Sequence, residues 1–164
     1  MGKTIRLTLS TDSIEQAIKE LNDYKNGLHT KANLLCQRLA DLGAIKVTLG
    51  FARAIYTGRK DIAIEVEQTD KGYLIVAEGE SVAFVEFGTG AKMGGGHPLN
   101  SQFGTGPGTF PGGKGHWNNP HGWYLPRDKG GGHTYGNPPS MTMYNAGKEL
   151  HEEIVRIARE VFSS

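Results

Sequence analysis

Cysteine is almost missing from this chain of 164 residues, and the single Cys36 excludes an intramolecular disulfide or a multi-cysteine metal site. Its helical surroundings predict a buried structural thiol, consistent with folding in a reducing cytoplasm. Long hydrophobic runs are also lacking. No stretch approaches the roughly 20 apolar residues of a membrane span, and the N-terminus has no signal-peptide core, so the expectation is a protein soluble where it is made, with no membrane partner. Net charge is near zero: 18 Lys and Arg against 17 Asp and Glu give +1, which argues against bulk attraction to nucleic acid or an acidic membrane surface. At 37% hydrophobic residues, one domain of this length can bury a sizeable core.

Glycine, by contrast, is abundant at 24 residues, and most of it follows Val85-Glu86-Phe87-Gly88-Thr89-Gly90. From Gly88 to about Pro139 the chain reads as a Gly- and Pro-rich arm that nevertheless carries both tryptophans. A disordered spacer has no use for them. The arm is also mildly basic, with Lys92, Lys114, Arg127 and Lys129 against Asp128 alone, and it holds four of the six histidines.

Outside the arm the apolar residues keep regular periods. Ile5, Leu7 and Leu9 alternate with polar residues as in a half-buried strand over Thr4–Leu9. Asp12 with Glu15 predicts a capping-box start to a helix bearing Ile14, Ala17, Ile18, Leu21, Tyr24 and Lys25. A second helical pattern, Leu28, Ala32, Leu35, Leu39 and Leu42, runs to Gly43, so that two helices broken near Asn26-Gly27 are predicted. Ala44–Tyr56 fits either period and leans to helix in its first half. Ile62, Ile64 and Val66, then Tyr73–Ala77, then Ser81–Phe87 predict three strands of an antiparallel meander with turns at Asp70-Lys71-Gly72 and Glu78-Gly79-Glu80. Met143, Ala146, Leu150, Ile154, Ile157 and Val161 predict a final helix to Phe162 after Pro138-Pro139-Ser140. The fold class is therefore α+β, a short antiparallel meander packed on N- and C-terminal helices in a single domain over 1–164.

Candidate chemistry is sparse. The Gly-rich arm contains neither a dinucleotide fingerprint nor a P-loop ending, so Gly88 and Gly90 read as backbone pivots and no cofactor is expected. His97, His116, His121 and His133 have no metal-ligand spacing and read as surface or stacking residues. Ser81, Glu86, Ser101 and His133 supply the letters of a hydrolase without a spacing signature. Glu86 reads as a salt bridge or as a carboxylate accepting amides of the Gly88-Thr89-Gly90 turn. Trp117, Trp123 and Tyr124, with Phe103 and Phe110, suit either base stacking or a protein interface, and the compact Trp123-Tyr124-Leu125 triplet favours the interface.

Three motifs then occur in a telling order: Phe84-Val85-Glu86-Phe87-Gly88-Thr89-Gly90, Gly122-Trp123-Tyr124, and His133-Thr134-Tyr135-Gly136-Asn137-Pro138-Pro139 leading into Met141-Thr142-Met143-Tyr144-Asn145-Ala146. With the hairpin before them, they resemble the tail-completion, or head-tail joining, proteins of long-tailed bacteriophages and prophages, the Hong Kong phage gene-product-ten-like family. The likeness covers nearly the whole chain. It implies a non-enzymatic virion neck component, a ring expected to be sixfold between the capsid connector or stopper and the tail tube or terminator, with at most weak contact with passing DNA. Family members often have a shorter segment in place of Gly94–Lys114, and many read Pro-Phe-Met where this chain has Ser140-Met141-Thr142-Met143, so the role of the long insert does not carry over.

The resemblance and the arm's composition together place subunit or partner contacts at Phe84, Glu86, Phe87, Gly88, Thr89, Gly90, Trp117, Trp123, Tyr124, His133, Tyr135, Asn137, Pro138, Met143 and Tyr144. The arm is expected to lie across a neighbouring polypeptide, because ordering so long a loop requires burial that a small monomer offers sparingly. The rival readings are a nucleic-acid-binding module using the basic aromatic insert and a small phage hydrolase.

Overall fold

A computed structural model describes residues 4–5, 8, 10–110 and 117–163. Helix α1 spans Thr11–Arg53, 43 residues and about 64 Å. It begins at Ser10, whose hydroxyl accepts the Ser13 amide, so the cap is Ser10 and not the predicted Asp12. Asp12 sits instead in the first turn, where a carboxylate favours the positive helix end. At the other end, the Lys60 ammonium donates to the Phe51 and Ala52 carbonyls, which satisfies two of the orphan acceptors left there.

The break predicted at Asn26-Gly27 does not occur. A single interior glycine costs about 1 kcal/mol relative to alanine, too little to interrupt a helix with many bonded turns on either side. Of the predicted strand Thr4–Leu9, Thr4, Ile5 and Thr8 are not in a strand, and the remaining residues lie outside the described ones. Cys36 is exposed, correcting the buried-thiol expectation, because it stands one position past the inward-facing Leu35.

Strands β1 (Ala63–Thr69) and β2 (Gly72–Glu78) form the predicted antiparallel hairpin, in register from Ala63 opposite Glu78 to Thr69 opposite Gly72. The third predicted strand is instead helix α2, Val82–Phe87. The reason is geometric. A strand has two faces, whereas this segment sends Val85 into the core, Phe84 onto the arm and Glu86 toward the last helix.

Within the arm lie a short helix α3 (Asn100–Phe103), a two-residue pair β3 (Trp123–Tyr124) and β4 (His133–Thr134), and a 3-10 turn over Arg127–Lys129. Helix α4, Thr142–Ser163, fulfils the strongest helix prediction and returns antiparallel along α1. Lys46 pairs with Glu149, and Arg38 lies 3.7 Å from Glu160. The core is Val47 and Phe51 of α1, Val85 of α2 and Ala146 of α4, flanked by Ile64, Ile75 and Ala77 of the hairpin. The architecture is α+β, as expected, with two two-stranded sheets in place of one three-stranded meander.

Candidate functional site: a buried junction and an exposed aromatic ladder

The residues of the first and third motifs, distant in sequence, meet in one junction. Helix α2 ends at Phe87 and exposes its last carbonyls to the interior, where water cannot reach them. The chain from Asn137 to Met141 answers three of them in turn. Asn137 donates its side-chain amide to the Phe84 carbonyl (2.9 Å), the Ser140 amide donates to Val85 (2.9 Å), and the Met141 amide donates to Glu86 (3.2 Å). Asn137 is only 2% exposed, and its side-chain Oδ1 accepts the Thr89 hydroxyl at 2.7 Å. Thr89 and Asn137 also exchange both backbone hydrogen bonds.

This crossing explains the glycines around it. A Cβ on Gly88 would lie 2.6 Å from the Pro139 nitrogen, and one on Gly136 would lie 2.0 Å from the Thr89 carbonyl oxygen. Both also have positive φ, 73° and 98°, a conformation that side chains penalise. The two segments therefore approach backbone to backbone.

Glu86 completes the junction in an unforeseen way. Met141, at φ 52°, precedes the first turn of α4; its carbonyl accepts the Asn145 amide, but its side chain offers no acceptor for the earlier orphan amides. The Glu86 carboxylate supplies one from α2: its Oε2 accepts the Met143 amide at 3.0 Å, and its Oε1 accepts the Tyr144 amide at 3.1 Å. A full negative charge thus caps the positive end of α4. The expected acceptance of amides from the Gly88-Thr89-Gly90 turn is corrected to these two helix amides. His97, buried beside it, receives the Leu99 amide on Nδ1, which puts the ring proton on Nε2, 3.3 Å from Glu86 Oε1. Phe87 and Tyr144 enclose the imidazole. His97 is therefore a junction residue, and no simple spacing from Glu86 pointed to it.

The arm finds much of its packing surface on its own chain. Phe84 meets Phe110 and Trp117, and Trp117 meets Trp123 edge to face at 5.5 Å. The Arg59 amide donates to the Lys129 carbonyl, the Thr57 and Thr134 hydroxyls bond each other, and Lys129 pairs with Glu80. The expectation that a monomer has little surface to spare is thus corrected, since α2 and the segment after α1 provide it. Between arm and body lies a cleft of about 670 Å³, lined by Trp117 and Trp123 of the arm together with Phe84, Tyr56, Arg59 and Asp61. Ser81, through its hydroxyl and amide, holds the Asp61 carboxyl below the usual carboxylate range, while burial pushes the Tyr56 hydroxyl up.

Of the fifteen residues expected at an interface, Glu86, Gly88, Thr89, Gly90 and Asn137 are buried within the chain, and Phe84, Phe87, Trp117, Trp123, Pro138, Met143 and Tyr144 are half-buried. Tyr124, His133 and Tyr135 remain open. They form a ladder of rings: Tyr124 meets His133 at 5.0 Å and His133 meets Tyr135 at 5.0 Å, both edge to face. Lys92 reaches over the outer face of Tyr135 at 5.4 Å. Tyr124 is 79% exposed and Tyr135 53%.

No family model, curated protein or solved structure matches the chain. The four histidines singled out in the sequence do not gather: His97 is at the junction, His133 in the ladder, His121 in an exposed turn, and His116 outside the described residues. Among the described residues, no three His, Cys, Asp or Glu side chains are grouped to hold a metal ion. No described helix is long and apolar enough to cross a membrane.

Proposed function

We propose that this chain is a structural, non-enzymatic subunit of a bacteriophage neck, forming a ring, expected to be sixfold, that completes the tail and joins it to the capsid connector. The observation that carries the reading is the junction. Motifs that carry the family resemblance, about 50 positions apart in sequence (Phe84–Gly90 and Gly136–Ala146), form a single hydrogen-bonded unit tying α2 to α4, so they act as one physical feature. That unit fixes the base of the arm, within which the β3–β4 pair carries the Tyr124 and His133 rings beside Tyr135. Exposed aromatics on a braced loop are what an interface with a neighbouring subunit, the connector or the tail tube requires.

The same ladder is the feature that favours the rival nucleic-acid reading, since Lys92 stands beside Tyr135. Its geometry argues the other way. With interplanar angles of 72° and 79°, each ring edge abuts the next face, which breaks up the parallel platform on which successive bases stack. A hydrolase reading gains no support from Glu86, whose two oxygens are occupied by helix amides.

The test is electron microscopy of particles made with a Tyr124→Ser, Tyr135→Ser double variant that remains folded in solution. Filled heads and separate tails, or tails with defective ends, are expected. Normal joined particles would remove the ladder from the proposed joint. Submicromolar, salt-sensitive binding of single-stranded DNA at physiological salt, lost in the same variant, would transfer the assignment to the rival reading.

A further inference from the structure

Helix α1 is built on one seam throughout its length. Ile14, Ile18, Leu21, Leu28, Leu35, Leu39 and Leu42 follow one another at spacings of three, four or seven, with Lys25 and Ala32 filling the two remaining places. In the second half of the helix this seam is covered: Leu35, Leu39 and Leu42 are half-buried, and Gly43 lies against Leu150 of α4. The cover that α4 supplies ends with α4, and ahead of it Ala17, one position before Ile18, is buried while the seam residues themselves stay open. Arg38 is already beside Glu160, three residues before the last of α4, so the part of α1 ahead of about Leu35 runs beyond its partner helix for about 36 Å. The seam does not stop there. Ile14, Ile18, Leu21 and Leu28 are 44%, 53%, 55% and 40% exposed, and Tyr24 flanks them at 48%.

We propose that this projecting half of α1 pairs with the same segment of a second copy, the two helices running antiparallel about a twofold axis near Asp23-Tyr24. Two observations choose that occupant. The seam is a direct continuation of an established helix-helix interface, so it already has the spacing that meshes with another helix. The charge of the segment is also divided end from end: Asp12, Glu15, Glu20 and Asp23 against Lys19 in its first half, then Lys25 and Lys31 with no acid as far as Leu35. Antiparallel pairing lays the acidic half of one helix along the basic half of the other, whereas parallel pairing lays like beside like. In the antiparallel register that sets Ile18 against Leu28 of the second copy, Ile14 meets Ala32, Leu21 meets the aliphatic stem of Lys25, and the two Tyr24 rings stand at the axis. The interface is isologous and closes at two, so it is separate from the ring contact proposed above and holds or fails without it.

Sedimentation of the full chain, in a Cys36→Ser background so that the exposed thiol does not interfere, tests the pairing. A concentration-dependent dimer is expected, and Leu21→Asp is expected to weaken it about a hundredfold while leaving the core of the molecule folded. Single cysteines then read the direction. Tyr24→Cys should cross-link to itself on mild oxidation, and Ile14→Cys should cross-link to Ala32→Cys in a mixture but not to itself, since its own copy lies about 27 Å away in the antiparallel pair. A chain that stays monomeric, an association indifferent to Leu21→Asp, or Ile14→Cys cross-linking to itself as readily as Tyr24→Cys would overturn the inference. A Leu21→Asp chain that still dimerises would overturn it and leave the neck reading standing, and a Leu21→Asp protein that is monomeric in solution yet joins heads to tails would support it while separating the two interfaces.

Discussion

Replacing Glu86 with glutamine is expected to lower the melting temperature by roughly 6 to 12 °C, which for a chain of this size corresponds to about 3 kcal/mol. The two shapes are nearly identical, so the effect isolates the charge and the second acceptor. In the native protein both carboxylate oxygens receive amides from the first turn of α4, and one of them also faces the His97 ring. Glutamine keeps one acceptor and turns an NH2 group toward the other amide, leaving two donors opposed in a site that is 5% exposed in the native chain. It also removes the negative charge from the positive end of the 22-residue helix. Differential scanning calorimetry measures the loss. Hydrogen exchange should place it at the amides of Met143 and Tyr144 first, and an unchanged melting temperature with unchanged exchange there would refute the tertiary cap.

The second large effect is expected at Gly136. Gly136→Ala should cost about 3 to 5 kcal/mol or leave the protein unfolded on expression, because the added carbon has nowhere to go. It would sit 2.0 Å from the Thr89 carbonyl oxygen, itself the acceptor for the Asn137 amide, so both strands of the crossing must separate. Gly132 provides the comparison. It too has positive φ, 83°, but open space where a Cβ would stand, so Gly132→Ala should lose only the about 1 to 2 kcal/mol attached to a left-handed backbone. Equal losses for the two variants in chemical denaturation would show that backbone conformation alone, and not the close approach, makes glycine necessary at position 136.

Both positions lie in motifs that were visible in the sequence, but their physical meaning was not. Periodicity along one segment reports a local face, so the hairpin, the closing helix and the α1 seam were legible from Ile62–Val66, Met143–Val161 and Ile14–Leu42. It does not report how many neighbours a segment serves. Val82–Phe87 is rich in β-formers and follows a turn, yet it becomes helical because three separate surfaces claim Phe84, Val85 and Glu86. The partners of Glu86 lie 57 and 58 residues further on, at backbone amides whose availability depends on Met141 having no capping side chain. A signal was present, in that an acid stands before one glycine turn and a helix opens without Ser, Thr, Asp or Asn at its cap, but only the fold joins the two. The spacing of the arm's histidines marks His97 as a surface or stacking residue; it does contact rings, although the imidazole is buried.

The arm shows the same limit from another side. Glycine content and two tryptophans correctly mark a loop that packs, and the surface it uses is in large part Phe84 and the stretch after α1. What is left over for another molecule is smaller than the sequence suggested. Among the described residues it includes Tyr124, His133 and Tyr135 on the arm and, independently, the projecting half of α1.

Radical footprinting of tyrosine side chains in the free chain and in purified phage particles tests the proposed joint most directly, because it reads the ladder without altering it. The account predicts that labelling of Tyr124 and Tyr135 falls severalfold on assembly, while that of Tyr56, half-buried between the core and the cleft, stays nearly constant. Tyr124 and Tyr135 labelled as strongly in the particle as in the free chain would contradict it.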